Sequence, residues 1–146
     1  MTCTRSLALT CALLIAAITQ ADQHKHDSEF EKCARACNDC QRICDACSAH
    51  CANMVAEGKK EHLATLRTCQ DCATFCTAAA TTVARKGPFS DLICKACAEA
   101  CNGCGKSCEK FGEDKLMKEC AEDCFRCEKI CREMLNHTAR ETKLEK

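Results

Sequence analysis

The sequence predicts an all-α protein, an antiparallel up-down-up-down four-helix bundle with a cysteine-lined core. Eighteen of its 20 cysteines fall into four runs in which successive cysteines are three or four residues apart. That spacing corresponds to one face of an α-helix. Short breaks separate the runs, and short connections favour antiparallel neighbours in a bundle. No segment shows the two-residue alternation of a half-buried strand, so we predict no strands.

The helix limits follow from capping and breaking residues. Ser28 and Glu31 have the spacing of a capping box and are expected to start the first helix. Ser90 or Asp91 is expected to cap the third helix. The predicted breaks are Gly58, Gly87-Pro88 and Gly112. We therefore expect helices over 29–57, 61–85, 90–110 and 114–136, the last opened by Glu113 or Asp114 and fraying into a charged tail.

The four runs place a row of sulfur atoms where the helices of a bundle usually have leucine. The first helix carries Cys33, Cys37, Cys40, Cys44, Cys47 and Cys51. The second carries Cys69, Cys72 and Cys76, and the third carries Cys94, Cys97, Cys101, Cys104 and Cys108. The fourth carries Cys120, Cys124, Cys127 and Cys131. These eighteen thiols are the candidate metal ligands.

Residues 1–21 have the composition of a secretory signal peptide. Arg5 supplies a positive charge, residues 7–18 are apolar, and Thr19-Gln20-Ala21 offers small residues for cleavage. The apolar stretch is short for a membrane-spanning helix. We predict an exported protein, in a bacterial periplasm, or a cytosolic one if this segment is not a signal. The expected organisation is a signal at 1–21, a polar histidine-containing leader at 22–28, the bundle at 29–137 and a charged tail at 138–146.

Composition argues against several classes of function. The 21 basic and 21 acidic residues give a formal net charge of zero, and the chain has five Phe, no Tyr and no Trp. A nucleic-acid-binding domain would normally show a basic excess and stacking aromatics. The cysteines have no consistent His or Asp partners for nucleophilic catalysis, so we expect no enzyme. Once cysteine is set aside, large aliphatic side chains are few, and such a core would gain from bound metal.

Three uses of so many cysteines differ in how well they fit the spacing. Eighteen buried free thiols would pack loosely as a purely apolar core. Disulfides between i and i+4 would be strained, because those Cβ atoms lie roughly 5–6 Å apart on a helix. Metal binding fits the spacing, since two sulfurs flanking one ion lie about 4–5 Å apart. Eight C-x-x-x-C pairs have this spacing: 33/37, 40/44, 47/51, 72/76, 97/101, 104/108, 120/124 and 127/131.

Charge favours Cu(I) among the metals. One Cu⁺ per thiolate leaves a neutral interior, whereas Zn²⁺ with four unshared thiolates leaves two buried negative charges. Thiolate and thioether ligands also select Cu(I). The C-x₂-C-x₂-C-x₃-C run of bacterial ferredoxins is absent from the sequence. The alternatives that stay open are a metallothionein-like Zn(II) or Cd(II) buffer and a thiol redox or disulfide-relay protein.

With eight C-x-x-x-C pairs in phase on four helices, the chain resembles the four-helix-bundle copper storage proteins of bacteria over about Glu29 to Leu135. The resemblance implies many Cu(I) ions held by paired thiolates, and assembly into homo-oligomers. The expected partners are copper ions and a copper-delivering or copper-receiving protein. We expect the protein not to bind nucleic acid, and not to associate with a membrane once the signal is removed. The signal-like start resembles that of exported members of the family. Those members often carry a twin-arginine signal, and this chain has no such arginine pair.

One end of the predicted bundle collects soft ligands beyond the cysteines. In an antiparallel bundle, the residues His50, Met54, His62 and Met117 come together at the same end, which we call the open end. The copper storage family has a His/Met-lined opening at one end of its bundle, and these residues are similar in type and spacing, although Glu57 stands where a further methionine is expected. The other end, called the closed end, is expected to be plugged by Phe30, Val83, Phe89, Met134 and Leu135.

Overall fold

The computed structural model describes the backbone of residues 4–144 and the side chains of residues 28–140. The chain forms four helices: α1 (Thr4–Ala56), α2 (His62–Ala84), α3 (Ser90–Glu109) and α4 (Lys115–Leu144). Residues 4–144 contain no strand. Each helix packs against the next one along the chain, and α4 also packs against α1. The predicted antiparallel up-down-up-down bundle is confirmed.

The start of α1 differs from the prediction. The helix begins at Thr4 and runs through Ser28 without a break, so no capping box starts it there. No Gly or Pro occurs between residues 1 and 57, and therefore nothing in the backbone ends the helix before the bundle. Glu31 forms an ion pair with Arg35, one helical turn further on. The side chains of the predicted signal peptide, and those of leader residues 22–27, lie outside the described side chains.

The connection between α1 and α2 is a tight turn that needs glycine. Gly58 has φ +92°, a left-handed conformation that costs other residues energy. The amide of Lys59 donates to the Met54 carbonyl at 2.9 Å, and that of Gly58 donates to Val55 at 3.0 Å. These are the two hydrogen bonds of a Schellman motif. At the end of α2 the same pair of bonds recurs, but there Lys86 takes the positive φ of 50°.

The first turns of α3 and α4 are held differently. Phe89 occupies the N-cap position of α3 without a side-chain hydrogen bond. Ser90, an expected cap, is instead the first helical residue, and its hydroxyl donates to the Gly87 carbonyl at 2.7 Å. Asp114 caps α4, as one of the two predicted alternatives. α4 then continues to Leu144 instead of fraying near Asn136.

The core is made of small and soft side chains. Its buried apolar members are the eighteen cysteines and a few others: Phe30, Ala34, Ala36, Ala73, Ala79, Ala80, Val83, Ala98, Met117, Ala121 and Met134. Phe30, Val83 and Met134 are buried at the closed end, and Leu135 packs against the core. Phe89 does not join them. It is 67% exposed, because it precedes α3 in the α2–α3 connection. Among the described residues, no helix is both long and apolar enough to cross a bilayer.

Candidate metal-binding site

The eighteen cysteine side chains form one continuous group along the bundle axis, which we call the thiol column. All eighteen are free and buried. The sulfur atoms of the diagonal helices α1 and α3 touch across the centre, between 3.7 and 4.0 Å apart, in the pairs 33/94, 37/97, 40/101, 44/104 and 47/108. The sequence offset of these pairs is 60 or 61 throughout, as two parallel helices require. Because these sulfurs touch directly, the interior along this diagonal is two sulfur atoms thick.

The other two helices complete the column. Thiols of α4 contact thiols of α1, and the shortest of these contacts joins Cys44 and Cys124 at 3.6 Å. α2 contributes contacts to α3, including Cys76 to Cys101 at 3.6 Å and Cys69 to Cys104 at 3.6 Å. A disulfide would need about 2.05 Å between the sulfurs. The described thiols are therefore in van der Waals contact without being bonded to one another.

The contacts group the thiols in fours. Sets of four sulfurs lie within 4.8 Å of one another, among them 37/97/127/131, 40/44/72/124, 40/72/76/101, 44/104/120/124 and 47/69/108/120. Several cysteines belong to two sets, Cys40, Cys44 and Cys124 among them. Ions filling neighbouring sets would have to share these sulfurs, so the column favours bridged, multi-metal occupancy over separate sites.

Few of the C-x-x-x-C pairs bring their own two sulfur atoms into contact. Contacts within 4.0 Å along one helix join Cys40 to Cys44 at 4.0 Å and Cys97 to Cys101 at 3.9 Å. The other short sulfur contacts run between helices. The i, i+4 spacing fixes which face carries sulfur, and the alignment of the helices decides which thiols meet.

Neighbouring thiols shift one another's pKa in opposite directions. Hydrogen bonding with Cys127, then with other thiols, and burial raise the pKa of Cys101. Hydrogen bonds from Cys101 and Cys131 lower the pKa of Cys127. Burial, and then the nearby charge of Cys108, raise the pKa of Cys51. Metal ions that bind these sulfurs must displace their protons.

At the open end the column finishes in a thioether. Met117 is fully buried, and its sulfur lies 3.3 Å from Sγ of Cys47 and 3.7 Å from Sγ of Cys51. Met117 belongs to the first turn of α4. The amides of Leu116 and Met117 donate to Oδ1 of Asp114 at 2.9 and 3.1 Å. This is an N-cap, and it satisfies two of the amides that a helix start leaves unpaired.

The histidines of the open end lie beside this turn. His50 Nε2 is 2.9 Å from Oδ2 of Asp114. Burial opposes ionisation of Asp114, but the Met117 amide, the charge of His50 and the Leu116 amide outweigh it and lower the pKa of that carboxyl. The rings of His50 and His62 meet edge to face with centroids 6.4 Å apart. His62 is buried, and its Nδ1 has no hydrogen-bond partner among the described residues.

A pocket of about 370 Å³ opens beside His62. Met54 lines it, together with residues of both loops at this end: Lys59, Lys110, Phe111, Gly112, Glu113 and Asp114. Nζ of Lys59 lies 3.3 Å from the Met54 sulfur. Phe111 stacks on His62 with centroids 4.0 Å apart and an interplanar angle of 21°. The structure thus brings all four residues named for the open end to one region, with Met117 innermost.

Sequence reasoning missed the loop residues that hold this region. Phe111 is the one aromatic residue of the α3–α4 connection, which was a usable signal. The contact of Asp114 with His50 depends on how α1 and α4 align and leaves no local pattern. The same applies to a buried hydrogen bond of 2.9 Å between Thr65 Oγ1 and Ser107 Oγ, which joins α2 to α3 near the open end.

Comparison with known proteins agrees with this geometry. Residues 25–136 match the copper storage protein family, Csp. The cysteine-rich protein YhjQ of Bacillus subtilis (strain 168) is 35% identical over 85 residues, covering 58% of this chain and 76% of that protein. A cytosolic copper storage protein from Streptomyces lividans, solved with five coppers, has a TM-score of 0.71 and 28% identity; the match covers 77% of this chain and 97% of that protein. The Cu(I)-bound copper storage protein BsCsp3 has a TM-score of 0.67 and 31% identity; the match covers 73% of this chain and 98% of that protein. The chain therefore belongs to the copper storage protein family.

Proposed function

We propose that the protein stores copper by binding many Cu(I) ions along the thiol column. The observation that carries this is the continuity of the column: seventeen of the eighteen buried free thiols touch another thiol at 3.6–4.0 Å, and Cys51 joins them through the Met117 sulfur. A single structural site would need four ligands. The remaining thiols have no use in a single-site protein, and they are well suited to a store.

Distance alone does not select copper, and charge decides the choice. A tetrahedral Zn(II) site has sulfurs about 3.8 Å apart, which the four-thiol sets would accommodate. Four unshared thiolates around Zn(II) leave two negative charges in a core that buries almost no counter-charge. Cu(I) with one thiolate each leaves none, so the capacity is on the order of one ion per thiolate. The Cu(I)-bound relatives described above support the same choice.

The open end is the proposed route for copper. Met54, His62 and Asp114 line a pocket that reaches solvent. Met117, whose amide donates to that same Asp114, has its sulfur 3.7 Å from Cys51. Thioether and imidazole bind Cu(I) less strongly than thiolate does. Copper would therefore be picked up by Met54, His50 or His62, be passed to Met117, and be retained by the thiolates beyond it.

The proposal extends to the location and partners of the protein. The apolar segment 7–18 supports export to the periplasm, although one relative is a cytosolic protein. A copper-delivering or copper-receiving protein would exchange the ion at the open end, and bundles would associate as homo-oligomers. The role is storage, without a catalytic step. Mass measurement of the secreted protein would test removal of residues 1–21.

An anaerobic titration of the reduced, metal-free protein with Cu(I), against a chelator that competes for the ion, tests the function. We expect uptake of more than ten ions per chain, one proton released per thiolate bound, and helicity that is present before loading. A parallel titration with Zn(II) should saturate at about four ions. Retention of zinc when Cu(I) is offered would contradict storage of copper. Stable disulfides in freshly isolated protein would favour the redox alternative.

A further inference from the structure

Asp114 joins two residues of the open end through its two carboxylate oxygens. Oδ1 accepts the amide hydrogens of Leu116 and Met117 in the first turn of α4, at 2.9 and 3.1 Å. Oδ2 lies 2.9 Å from Nε2 of His50 in α1. The same carboxylate therefore caps the backbone of Met117 and lies in contact with the neighbouring helix at His50.

The position of the Met117 sulfur depends on this first helical turn. Met117 is the third residue of α4, and its amide has no carbonyl partner within the helix. Its sulfur must still lie 3.3 Å from Cys47 and 3.7 Å from Cys51 to continue the column. The turns that follow are held independently, because Cys120 and Cys124 pack against Cys44 at 3.9 and 3.6 Å. Loss of the cap would consequently loosen the first turn and leave the column in place.

We propose that Asp114 is a positioning residue for copper uptake, which holds the Met117 thioether at the end of the thiol column by capping α4 against His50. The inference rests on the proposed storage of Cu(I) and adds how the last step into the column is organised. The position of the capping oxygen matters more than the negative charge, because an N-cap side chain must place an oxygen beside the first amides of the helix. Asparagine would keep that oxygen, whereas glutamate would keep the charge and move the oxygen by one methylene.

The test is the rate at which reduced, metal-free protein takes Cu(I) from a coloured Cu(I)–chelator complex under anaerobic conditions. We expect Asp114→Ala and Asp114→Glu to slow uptake about fivefold, which corresponds to the usual weight of an N-cap, and to leave the final capacity unchanged. Asp114→Asn should take up copper at the rate of the unaltered protein. Glu119→Ala removes an exposed acid of α4 that is not part of the pocket lining, and it serves as the matched control with an unchanged rate.

A double-mutant cycle with Met117→Leu separates positioning from a general loss of stability. If Asp114 acts through Met117, Asp114→Ala should slow uptake no further once the thioether is gone. Equal slowing in both backgrounds, or a slow Asp114→Asn, would overturn the inference. So would an unchanged rate for both Asp114→Ala and Asp114→Glu. If Asp114→Ala does not fold by circular dichroism, the comparison of Asp114→Glu with Asp114→Asn decides.

The role of Asp114 and the storage of copper can be overturned by different results. Normal capacity with a rate that is insensitive to Asp114 overturns this inference and leaves copper storage intact. No Cu(I) bound by the unaltered protein overturns both.

Discussion

Gly105 of α3 lies directly against the ring of Phe125 in α4. A Cβ atom on Gly105 would lie 2.6 Å from Cε1 and 2.8 Å from Cζ of that ring, closer than any real contact. Helix interiors normally disfavour glycine, and here its lack of a side chain lets α3 and α4 approach. The approach matters for the column, because the adjacent Cys104 and Cys124 belong to one four-thiol set.

We expect Gly105→Ala to destabilise the metal-free bundle by about 1–3 kcal/mol, as an overpacked core does. Gly103 is the matched control, since a Cβ there would meet nothing within 4 Å. Gly103→Ala should stabilise the same helix by about 0.5–1 kcal/mol through helix propensity. Chemical denaturation followed by circular dichroism measures both. Equal effects of the two substitutions would contradict the packing described for Phe125.

Replacement of Cys40 and Cys44 by alanine should lower Cu(I) capacity by about a tenth, in proportion to the thiolates removed. The bundle should still fold, because each small cavity costs only a fraction of its stability. Anaerobic titration gives the capacity, and circular dichroism gives the helicity. Arg42→Ala, an exposed change between the two cysteines, is the control. A complete loss of copper binding would show that the column does not fill in parts.

Replacement of Met54 and His62 by alanine should slow Cu(I) transfer while leaving capacity nearly unchanged. These side chains line the pocket at the open end and are not part of the thiol column. Transfer to and from a chelator, followed by absorbance, gives the rates. Leu63→Ala alters a 39% exposed neighbour of His62 and should have no effect. An unchanged transfer rate in the double variant would remove the open end as the route.

The metal-free protein should lose stability as the pH rises above 9.0, the ordinary thiol value. Burial raises the pKa of Cys51, and hydrogen bonds with Cys127 and other thiols raise that of Cys101. In the folded state these thiols keep protons that the unfolded chain releases, so their stabilisation is complete below that pH and declines above it. Denaturation between pH 7 and 10.5, under reducing anaerobic conditions, measures the effect.

The copper-loaded protein supplies the comparison for this pH series. Its thiolates carry metal in place of protons, so the same rise in pH should leave its stability nearly unchanged. A metal-free form as stable at pH 10.5 as at pH 9 would contradict the raised pKa values.

Helix number, direction and sulfur faces could be predicted from sequence, because they depend on local spacing and on breakers such as Gly58 and Gly112. The limits of α2 were predicted to within one residue at each end. The predicted start of α1 at residue 29 was wrong, because a capping box is only a preference and a helix continues where no residue opposes it. Phe89 was wrongly placed in the plug since hydrophobicity alone does not tell which side of a loop faces inward.

Contacts between helices could not be predicted in the same way. The diagonal pairs such as Cys40 and Cys101 depend on the offset of α1 against α3, which no single segment encodes. The stacking of Phe111 on His62 likewise joins the α3–α4 loop to the first residue of α2, far away in sequence. The roles of the eighteen thiols and of the four open-end residues stay predictions until metal is measured.

A core of thiols would tie the lifetime of the chain to its cargo. Ions that bind the folded chain more tightly than the unfolded one shift the folding equilibrium towards the native state. An empty chain, whose interior has few large aliphatic groups, would unfold more often and be cleaved sooner by proteases. Turnover would thus remove empty stores when copper is scarce and spare full ones when it is abundant, without a sensor or a change in gene expression.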